Sequence, residues 1–346
     1  MSAGAGLLLN RAVNAVRRRS RTAMTRAKVL WHTERLHGAA RVRLEEDDCG
    51  LVTMVKDAEF YIEELLRHHA ALGVRHILVI DNGSQDATVE IAARHPDVTV
   101  LRNTLPPRDF ETHLRADLAR RVYAGGWLLF VDADELFDPP GTGPDALRRL
   151  CAYCNARGFT AVAGQMLDMF SDRPLSETAR MPYAEALGAF TLYSLDCIET
   201  RDFHDPGIDF AWHLRQSRCA SPAVRILFGG IRKQHFGEAC CLTKQPLVRN
   251  LPQVQPCVHP HCAGNVTCAD VTALIRHYKF AGDIIARETA QIRRNTWDHG
   301  QDRARMSKLA HAPDYVITCA NARRFTGLDA LVDEGFLVRS EAFAAW

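Results

Sequence analysis

The chain has 346 residues, of which 47% are hydrophobic and 24% are charged, and its net charge is +2. This length and apolar content suit a soluble globular protein with one large domain or two domains of ordinary size. Ten of the basic residues lie in residues 1–43 against one acid, Glu34, so the rest of the chain is net acidic, which argues against a basic nucleic-acid-binding surface.

The basic composition predicts that residues 1–48 form an N-terminal tail that is partly disordered or helical. A second interpretation is an amphipathic basic segment that rests on an anionic membrane surface. No apolar run is long enough to span a membrane, and Leu7-Leu8-Leu9 is too short for a secretory signal core. We therefore expect a cytoplasmic protein, with peripheral contact at the inner face of the membrane as the alternative.

Beyond the tail, strand and helix patterns alternate four times with short connections. The predicted strands are residues 51–55, 74–80, 98–102 and 127–131, and a further apolar strand at 159–165. The predicted helices run from an N-cap at Asp57 to Leu72, from Asp86 to Arg94, around 114–122, from Asp145 to Arg157, and from Asp270 through Ile285. This alternation predicts an α/β fold with a mostly parallel sheet flanked by helices, whereas the strand order within 166–256 is left open.

The run from Trp127 to Phe137 places an apolar strand directly before three carboxylates, Asp132, Asp134 and Glu135. Ligands of parallel sheets bind at the carboxyl ends of the strands, and carboxylates there suit Mg²⁺ or Mn²⁺ held against a phosphate. In this interpretation Asp134 contacts the metal, and Asp132 supports it or bonds a ribose hydroxyl. The alternative is an ordinary acidic turn.

Further polar residues follow the other strands, and we expect them to lie close to Asp132, Asp134 and Glu135, the acidic triplet. Asp81-Asn82 grips a ribose and base or forms an Asx turn. Lys56-Asp57 contacts the base or only caps a helix. Arg115 reaches the acidic triplet or a phosphate, or else lies on a solvated helix face.

Candidates in the second half of the chain are His277 and Lys279. His277 completes a carboxylate–phosphate metal shell or is a core histidine, and Lys279 suits a leaving diphosphate. The loops at Gly229-Gly230 with Arg232-Lys233, and at Leu242-Thr243-Lys244, hold phosphate or are plain turns.

An inverting transfer needs a carboxylate that accepts the proton of the acceptor hydroxyl. Asp168 is the first candidate because it follows the strand at 159–165, Asp196 is the second, and Glu238 is the third. The eleven cysteines are expected to remain thiols, and the cluster from Cys257 to Cys268 matches no common zinc module.

Several of these motifs together resemble the glycosyltransferase family 2-like proteins, in particular a bacterial branch with a DADE metal motif. The matching blocks are Thr53-Met-Val-Lys56-Asp57-Ala-Glu59, Ile80-Asp81-Asn82-Gly83-Ser84, Asp132-Ala-Asp134-Glu135, Met166-Leu-Asp168-Met-Phe170, Leu242-Thr-Lys244-Gln-Pro246-Leu247 and His277-Tyr-Lys-Phe280.

The resemblance implies a GT-A type fold, Rossmann-like, with a fused subdomain on the acceptor side. It divides the chain into a nucleotide-sugar-binding half at 49–165, an acceptor and catalytic half at 166–290, and a C-terminal helical extension at 291–346. It also implies Mn²⁺ or Mg²⁺ as cofactor, with Asp134 as metal ligand, Asp132 as its partner and His277 on the metal or the diphosphate.

The leading functional hypothesis is therefore a metal-dependent glycosyltransferase. It would move a sugar from a nucleotide-diphosphate donor, with UDP expected, to a glycan or lipid-linked acceptor, with inversion, in polysaccharide assembly. The alternatives are a nucleotidyltransferase on a related fold and a non-catalytic nucleotide- or glycan-binding protein. The strand end at Met54-Val-Lys56-Asp57 lacks the glycines that a nucleotidyltransferase would favour.

Overall fold

The computed structural model describes residues 20–294, 300–312 and 314–346. Residues 1–19 of the predicted basic tail therefore lie outside the described residues. Of its remainder, residues 20–31 are helical, whereas Glu34–His37 and Val42–Arg43 are strands, and the first of these pairs with the edge of the central sheet. The division into domains made from the sequence stays a prediction.

The strands are distributed along the whole chain. They are β1 (Glu34–His37), β2 (Val42–Arg43), β3 (Cys49–Val55), β4 (His76–Asp81), β5 (Val98–Arg102), β6 (Tyr123–Ala124), β7 (Trp127–Phe130), β8 (Glu135–Asp138), β9 (Ala161–Asp168), β10 (Leu192–Tyr193), β11 (Ile198–Arg201), β12 (Arg218–Cys219), β13 (Ile226–Gly229), β14 (Thr243–Arg249), β15 (Gln255–His259), β16 (Cys262–Gly264), β17 (Thr267–His277) and β18 (Arg323–Arg324).

The helices alternate with these strands in the first half and become shorter in the second. They are α1 (residues 20–31), α2 (Glu59–Ala71), α3 (Thr88–Ala92), α4 (Pro107–Val122), α5 (Ala146–Arg157), α6 (Leu175–Thr178), α7 (Tyr183–Ala189), α8 (Ala211–Leu214), α9 (Ile231–Phe236), α10 (Ile284–Arg294), α11 (Gly300–Ala310), α12 (Leu328–Asp333) and α13 (Glu341–Ala344). None of the described helices is long and apolar enough to cross a bilayer.

The central sheet has the strand order β1-β5-β4-β3-β7-β14-β9-β17-β12, and β8 pairs with the end of β17. Among the described residues five of its strand pairings are parallel and four are antiparallel. The α/β fold with a mostly parallel sheet flanked by helices is thereby confirmed. Because β14 runs antiparallel between β7 and β9, the strands on either side of it point the same way.

Both faces of this sheet are covered, as parallel sheets require. All seven residues of β3 are buried. Leu51 and Val55 of β3 pack on one side with residues of α2 and α5, whereas Val52 and Met54 pack on the other with residues of α4. The side chains of β3 therefore alternate between two separate hydrophobic layers, one on each face of the sheet.

The strands predicted within residues 51–165 are confirmed, with their ends shifted by up to three residues. Two local predictions were wrong. Asp57 does not cap α2, because that position is occupied by Ala58 and Asp57 adopts a positive φ of 50°. The helix predicted from Asp270 is the eleven-residue strand β17, and α10 begins only at Ile284.

The topology directs five strands toward one edge of the sheet. β3, β4 and β7 are mutually parallel, and β9 and β17 share their direction through the two antiparallel pairings of β14. The carboxyl ends of these strands carry, or are followed by, Lys56, Asp81, the acidic triplet, Asp168 and His277. Residues that are far apart in sequence therefore meet at one edge.

Candidate active site

A cleft of about 900 Å³ opens at this edge of the sheet. Its wall includes the ends of β3 and β17, the turn between β7 and β8, and residues of α10. The residues predicted from the sequence that line it include Lys56, Asp57, Asn82, Arg115, Asp132, Asp134, Glu135, His277 and Lys279.

Asp132 is held by two cations of the protein. Its carboxylate accepts one hydrogen bond from Arg115 and another from Lys244 Nζ at 2.7 Å. Lys244 also donates to Glu135, which is 1% exposed. Burial alone would raise the pKa of Asp132, but Lys244 and Arg115 hold it well below its usual range. Asp132 is therefore a carboxylate whose charge the protein already balances.

Asp134 has a different environment, although it lies only two residues further along the same turn. His277 Nε2 lies 3.3 Å from its Oδ2, and its backbone carbonyl accepts from the N–H of Tyr278. Burial alone would raise the pKa of Asp134, but His277 and Lys279 lower it. This carboxylate faces the cleft with one imidazole as its close partner.

The other nitrogen of the His277 ring points into the protein. Nδ1 lies 2.5 Å from Asp168 Oδ1, and Arg232 Nε donates to Asp168 Oδ2 at 2.8 Å. Burial alone would lower the pKa of His277, but the carboxylates of Asp134 and Asp168 raise it to about 8. Burial likewise opposes ionisation of Asp168, but Arg232 and His277 lower its pKa to about 2. Asp134, His277, Asp168 and Arg232 thus form a chain of four charged groups, in which Asp168 is the most buried.

Asp81 reaches the same edge but not the cleft surface. Its side chain is fully buried and accepts from the N–H of Ser84 and from Arg102 Nε, both at 2.8 Å. Asn82, which lines the cleft, donates to the carbonyls of Asn103 and Leu105. These bonds fix the loop after β4, so Asp81 shapes the wall from behind.

At the cleft mouth, Lys56 and Asp57 extend from β3. The carboxylate of Asp57 accepts from the N–H of Gln85 at 2.8 Å and pairs with Arg294 of α10. Burial opposes ionisation of Asp57, but these hydrogen bonds lower its pKa. The ion pair between Asp57 and Arg294 therefore connects the loop after β3 to α10.

Lys279 lines the cleft and lies 3.0 Å from Glu288, which is itself held by the buried Arg305. Sequence reasoning named Lys279 but missed Glu288, Arg294 and Arg305. These three residues form no recognisable sequence motif, because they reach the site only through the packing of α10 and α11.

Lys244 and Arg232, which the sequence left as phosphate-binding loops or plain turns, both line the cleft. Lys244 pairs with Asp132 and Glu135, and Arg232 pairs with Asp168. Lys233 instead pairs with Glu199 at the surface.

The predicted acid–base candidates lie outside the cleft lining of the described residues. Asp168 is 5% exposed and both its oxygens are bonded. Asp196 accepts from Asn321, and Glu238 pairs with Arg305. Their assignment as proton acceptors stays a prediction.

A divalent cation can be tested against the donors that are present. The described residues contain no ready-made cluster of three His, Cys, Asp or Glu side chains for a metal. Asp134 and His277 nevertheless offer one oxygen and one nitrogen to the cleft, and Mg²⁺ or Mn²⁺ commonly takes one or two protein ligands with phosphate and water. The donor set fits such a cation.

Comparison with known proteins agrees with the motifs. Residues 52–206 match the model of Glycosyl transferase family 2. No curated protein sequence matches the chain.

Among solved structures, glucosyl-3-phosphoglycerate synthase from Mycobacterium tuberculosis, in complex with Mn²⁺, UDP and glucosyl-3-phosphoglycerate, is 17% identical and covers 41% of this chain and 50% of its own, with a TM-score of 0.24. CMP:2-keto-3-deoxy-manno-octonic acid synthetase with CTP is 13% identical over 38% of this chain and 56% of its own, with a TM-score of 0.24. UDP-glucose pyrophosphorylase with UDP-glucose is 8% identical, and the match covers 86% of this chain and 97% of the pyrophosphorylase chain, with a TM-score of 0.26.

The chain thus spans about half of the synthase that it matches, and structural likeness this low adds nothing to the functional argument. The resemblance predicted from the sequence is confirmed by the family match. Residues 52–206, which include the acidic triplet and Asp168, are thus similar to glycosyltransferase family 2.

Proposed function

We propose that this family 2-like protein is a metal-dependent glycosyltransferase. It moves a sugar from a nucleotide-diphosphate donor, which we propose is a UDP-sugar, to a glycan or lipid-linked acceptor with inversion, as in polysaccharide assembly. The observation that carries this proposal is the pairing of Asp134 with His277 in the large cleft at the carboxyl edge of the sheet. The nucleotide is assigned to the 49–165 half of the chain and the acceptor to the 166–290 half.

Asp134 and His277 would hold the cation. When bound, a divalent cation acts as a Lewis acid that offsets the charge developing on the departing diphosphate. Lys279 lies two residues beyond His277 and lines the same cleft, so its ammonium group supports the same negative charge. Arg115 and Lys244 hold Asp132 in place beside this site.

The nucleotide is assigned to the part of the cleft formed by Lys56, Asp57 and Asn82. This assignment is supported by their position at the ends of β3 and β4, where parallel sheets bind their ligands. Asp81 holds the loop that presents Asn82. The Arg294 side chain that pairs with Asp57 has to leave it if a donor group is to contact that carboxylate.

A thermal-shift panel tests the proposal directly. The protein is heated with UDP, GDP or CDP, with and without Mn²⁺. We expect one nucleotide, UDP, to raise the melting temperature only when Mn²⁺ is present, because binding to the folded state stabilises it. Asp134→Ala should lose this shift, whereas Asp145→Ala, an exposed aspartate before α5, should keep it.

Equal stabilisation with and without Mn²⁺, or an unchanged shift in Asp134→Ala, would contradict the metal role. The reaction itself is followed by release of UDP from a panel of UDP-sugars. Formation of an activated sugar from a nucleoside triphosphate and a sugar phosphate would instead identify a nucleotidyltransferase.

We also propose that the N-terminal region contacts an anionic membrane surface at the inner, cytoplasmic face. Met24 and Trp31 of α1 are 73% and 87% exposed and lie seven residues apart, on one helix face. Tryptophan and basic residues favour anionic lipid interfaces. Flotation with vesicles should be stronger for anionic than for neutral lipid and weaker for Met24→Ser with Trp31→Ser; equal flotation with both lipids would refute the contact.

A further inference from the structure

We propose that Asp168, backed by Arg232, is a positioning residue that orients His277 toward a cation at Asp134. The inference rests on the proposed metal-dependent function and assigns Asp168 a role different from that of a proton acceptor. Three groups carry it: the imidazole, the carboxylate behind it and the guanidinium behind that.

The backbone already brings the first two groups together. β9 and β17 are parallel neighbours, and His277 and Asp168 are register partners at their carboxyl ends. Side chains of register partners project to the same side of a sheet. The short Nδ1–Oδ1 contact of 2.5 Å is therefore built into the pairing of two strands and does not depend on a loop.

Burial and hydrogen bonding leave Asp168 no free oxygen. Oδ1 meets His277 Nδ1, and Oδ2 receives Arg232 Nε at 2.8 Å. Asp168 is 5% exposed and Arg232 is 8% exposed, so both are withdrawn from water. A carboxylate engaged in this way is poorly placed to take a proton from an acceptor hydroxyl, which would have to approach from the cleft.

The same arrangement is well suited to hold a metal ligand. A carboxylate only accepts, so the bond to Asp168 keeps a hydrogen on His277 Nδ1. A cation at Nε2 would take the place of the hydrogen that this nitrogen otherwise directs at Asp134. Outer carboxylates of this kind set the ring orientation of a ligating histidine and increase its basicity. Arg232 fixes the carboxylate in turn, and it reaches the cleft wall itself.

The experiment measures Mn²⁺ affinity, which a merely structural role or a proton-accepting role would not change. Mn²⁺ is titrated into the full chain with UDP at fixed concentration, and free Mn²⁺ is followed by electron paramagnetic resonance. The variants are Asp168→Asn, His277→Ala and the two combined. A second form, Asp168→Leu with Arg232→Met, removes the whole buried pair and avoids an unpaired charge if Asp168→Asn fails to fold.

We expect Asp168→Asn to weaken Mn²⁺ binding by about 10-fold, and Asp168→Leu with Arg232→Met by up to about 100-fold. In the His277→Ala background the change at Asp168 should have no further effect, because Asp168 acts through the imidazole. The matched control is Asp138→Asn, which breaks a comparable carboxylate–arginine pair between β8 and β17 without touching His277. It should leave the affinity unchanged.

The remaining outcomes separate two failures. If His277→Ala weakens Mn²⁺ binding but neither variant at Asp168 does, the positioning role is refuted and the proposed function stands. If Asp168→Asn weakens binding equally with and without His277, the positioning role is also refuted. If His277→Ala binds Mn²⁺ like the native chain, the metal site of the proposed function is refuted and the inference with it.

Discussion

Asp132 and Asp134 lie on one turn, two residues apart, yet the structure gives them opposite surroundings. Asp132 accepts from two cations, Arg115 and Lys244, whereas Asp134 faces a single imidazole across 3.3 Å. The first carboxylate is balanced by an arginine and a lysine, whereas the second is balanced mainly by an imidazole, which can itself serve as a metal ligand. An acidic motif therefore need not be one set of metal ligands, because its members can take separate roles from the residues that pack against them.

The largest expected effect concerns turnover. Asp134→Asn should lower the sugar-transfer rate roughly 10³-fold, since it removes the negative charge that would hold the proposed cation against the developing charge. Asp132→Asn should lower this rate less, because Asp132 pairs with Arg115 and Lys244 and is not a proposed ligand of the cation. Steady-state rates with saturating Mn²⁺ measure both. A larger loss in Asp132→Asn than in Asp134→Asn would reverse the comparison.

The second effect concerns the stability that Lys244 provides through its ion pairs with Asp132 and Glu135. Lys244→Met should lower the free energy of unfolding by about 3 kcal/mol, because Glu135 is left buried without its counter-charge. Adding Glu135→Gln should recover part of that loss, since the amide carries no charge. Urea denaturation of the two variants and the native chain measures this, and no recovery in the double variant would show that Lys244 does not serve Glu135.

A smaller effect concerns the packing behind the turn. The N–H of Phe137 in β8 donates to Nε2 of the fully buried His69, and Nδ1 of His69 bonds the carbonyl of Leu65. Burial lowers the pKa of His69 from 6.5 to about 3. His69 is therefore neutral when folded, so its contribution is present above pH 6.5 and is lost as the pH falls from about 6.5 toward about 3.

At pH 5 this group alone should cost about 2 kcal/mol of unfolding free energy relative to pH 7.5. His259 and His261 also have lowered pKa values, so the informative quantity is the difference between the native chain and His69→Gln. The variant should lose less stability than the native chain between pH 7.5 and 5. Identical losses would show that His69 is not the group being protonated.

Much of the site follows from local sequence because parallel strands share an edge. Once 51–55, 74–80 and 127–131 are identified as strands, the residues after them must converge, and the structure brings Lys56, Asn82 and Asp134 to one cleft. Arg115 also reaches the triplet, as one of its two interpretations predicted.

The rest depends on long-range pairing that no local pattern carries. β14 inserts antiparallel between β7 and β9, and only this places Lys244 beside Asp132. β17 is buried on both faces along most of its length, so its apolar residues show no alternation, and their spacing was interpreted as a helix. His277 reaches the cleft from the end of that strand.

The most direct measurement is an anomalous diffraction map at the manganese edge from crystals grown with Mn²⁺ and UDP. The account predicts a single strong peak at coordination distance, roughly 2.0–2.3 Å, from a carboxylate oxygen of Asp134 and from Nε2 of His277, with diphosphate oxygens on its open side. A peak on Asp132 and Glu135 that leaves Asp134 uncoordinated, or one outside the cleft, would contradict it.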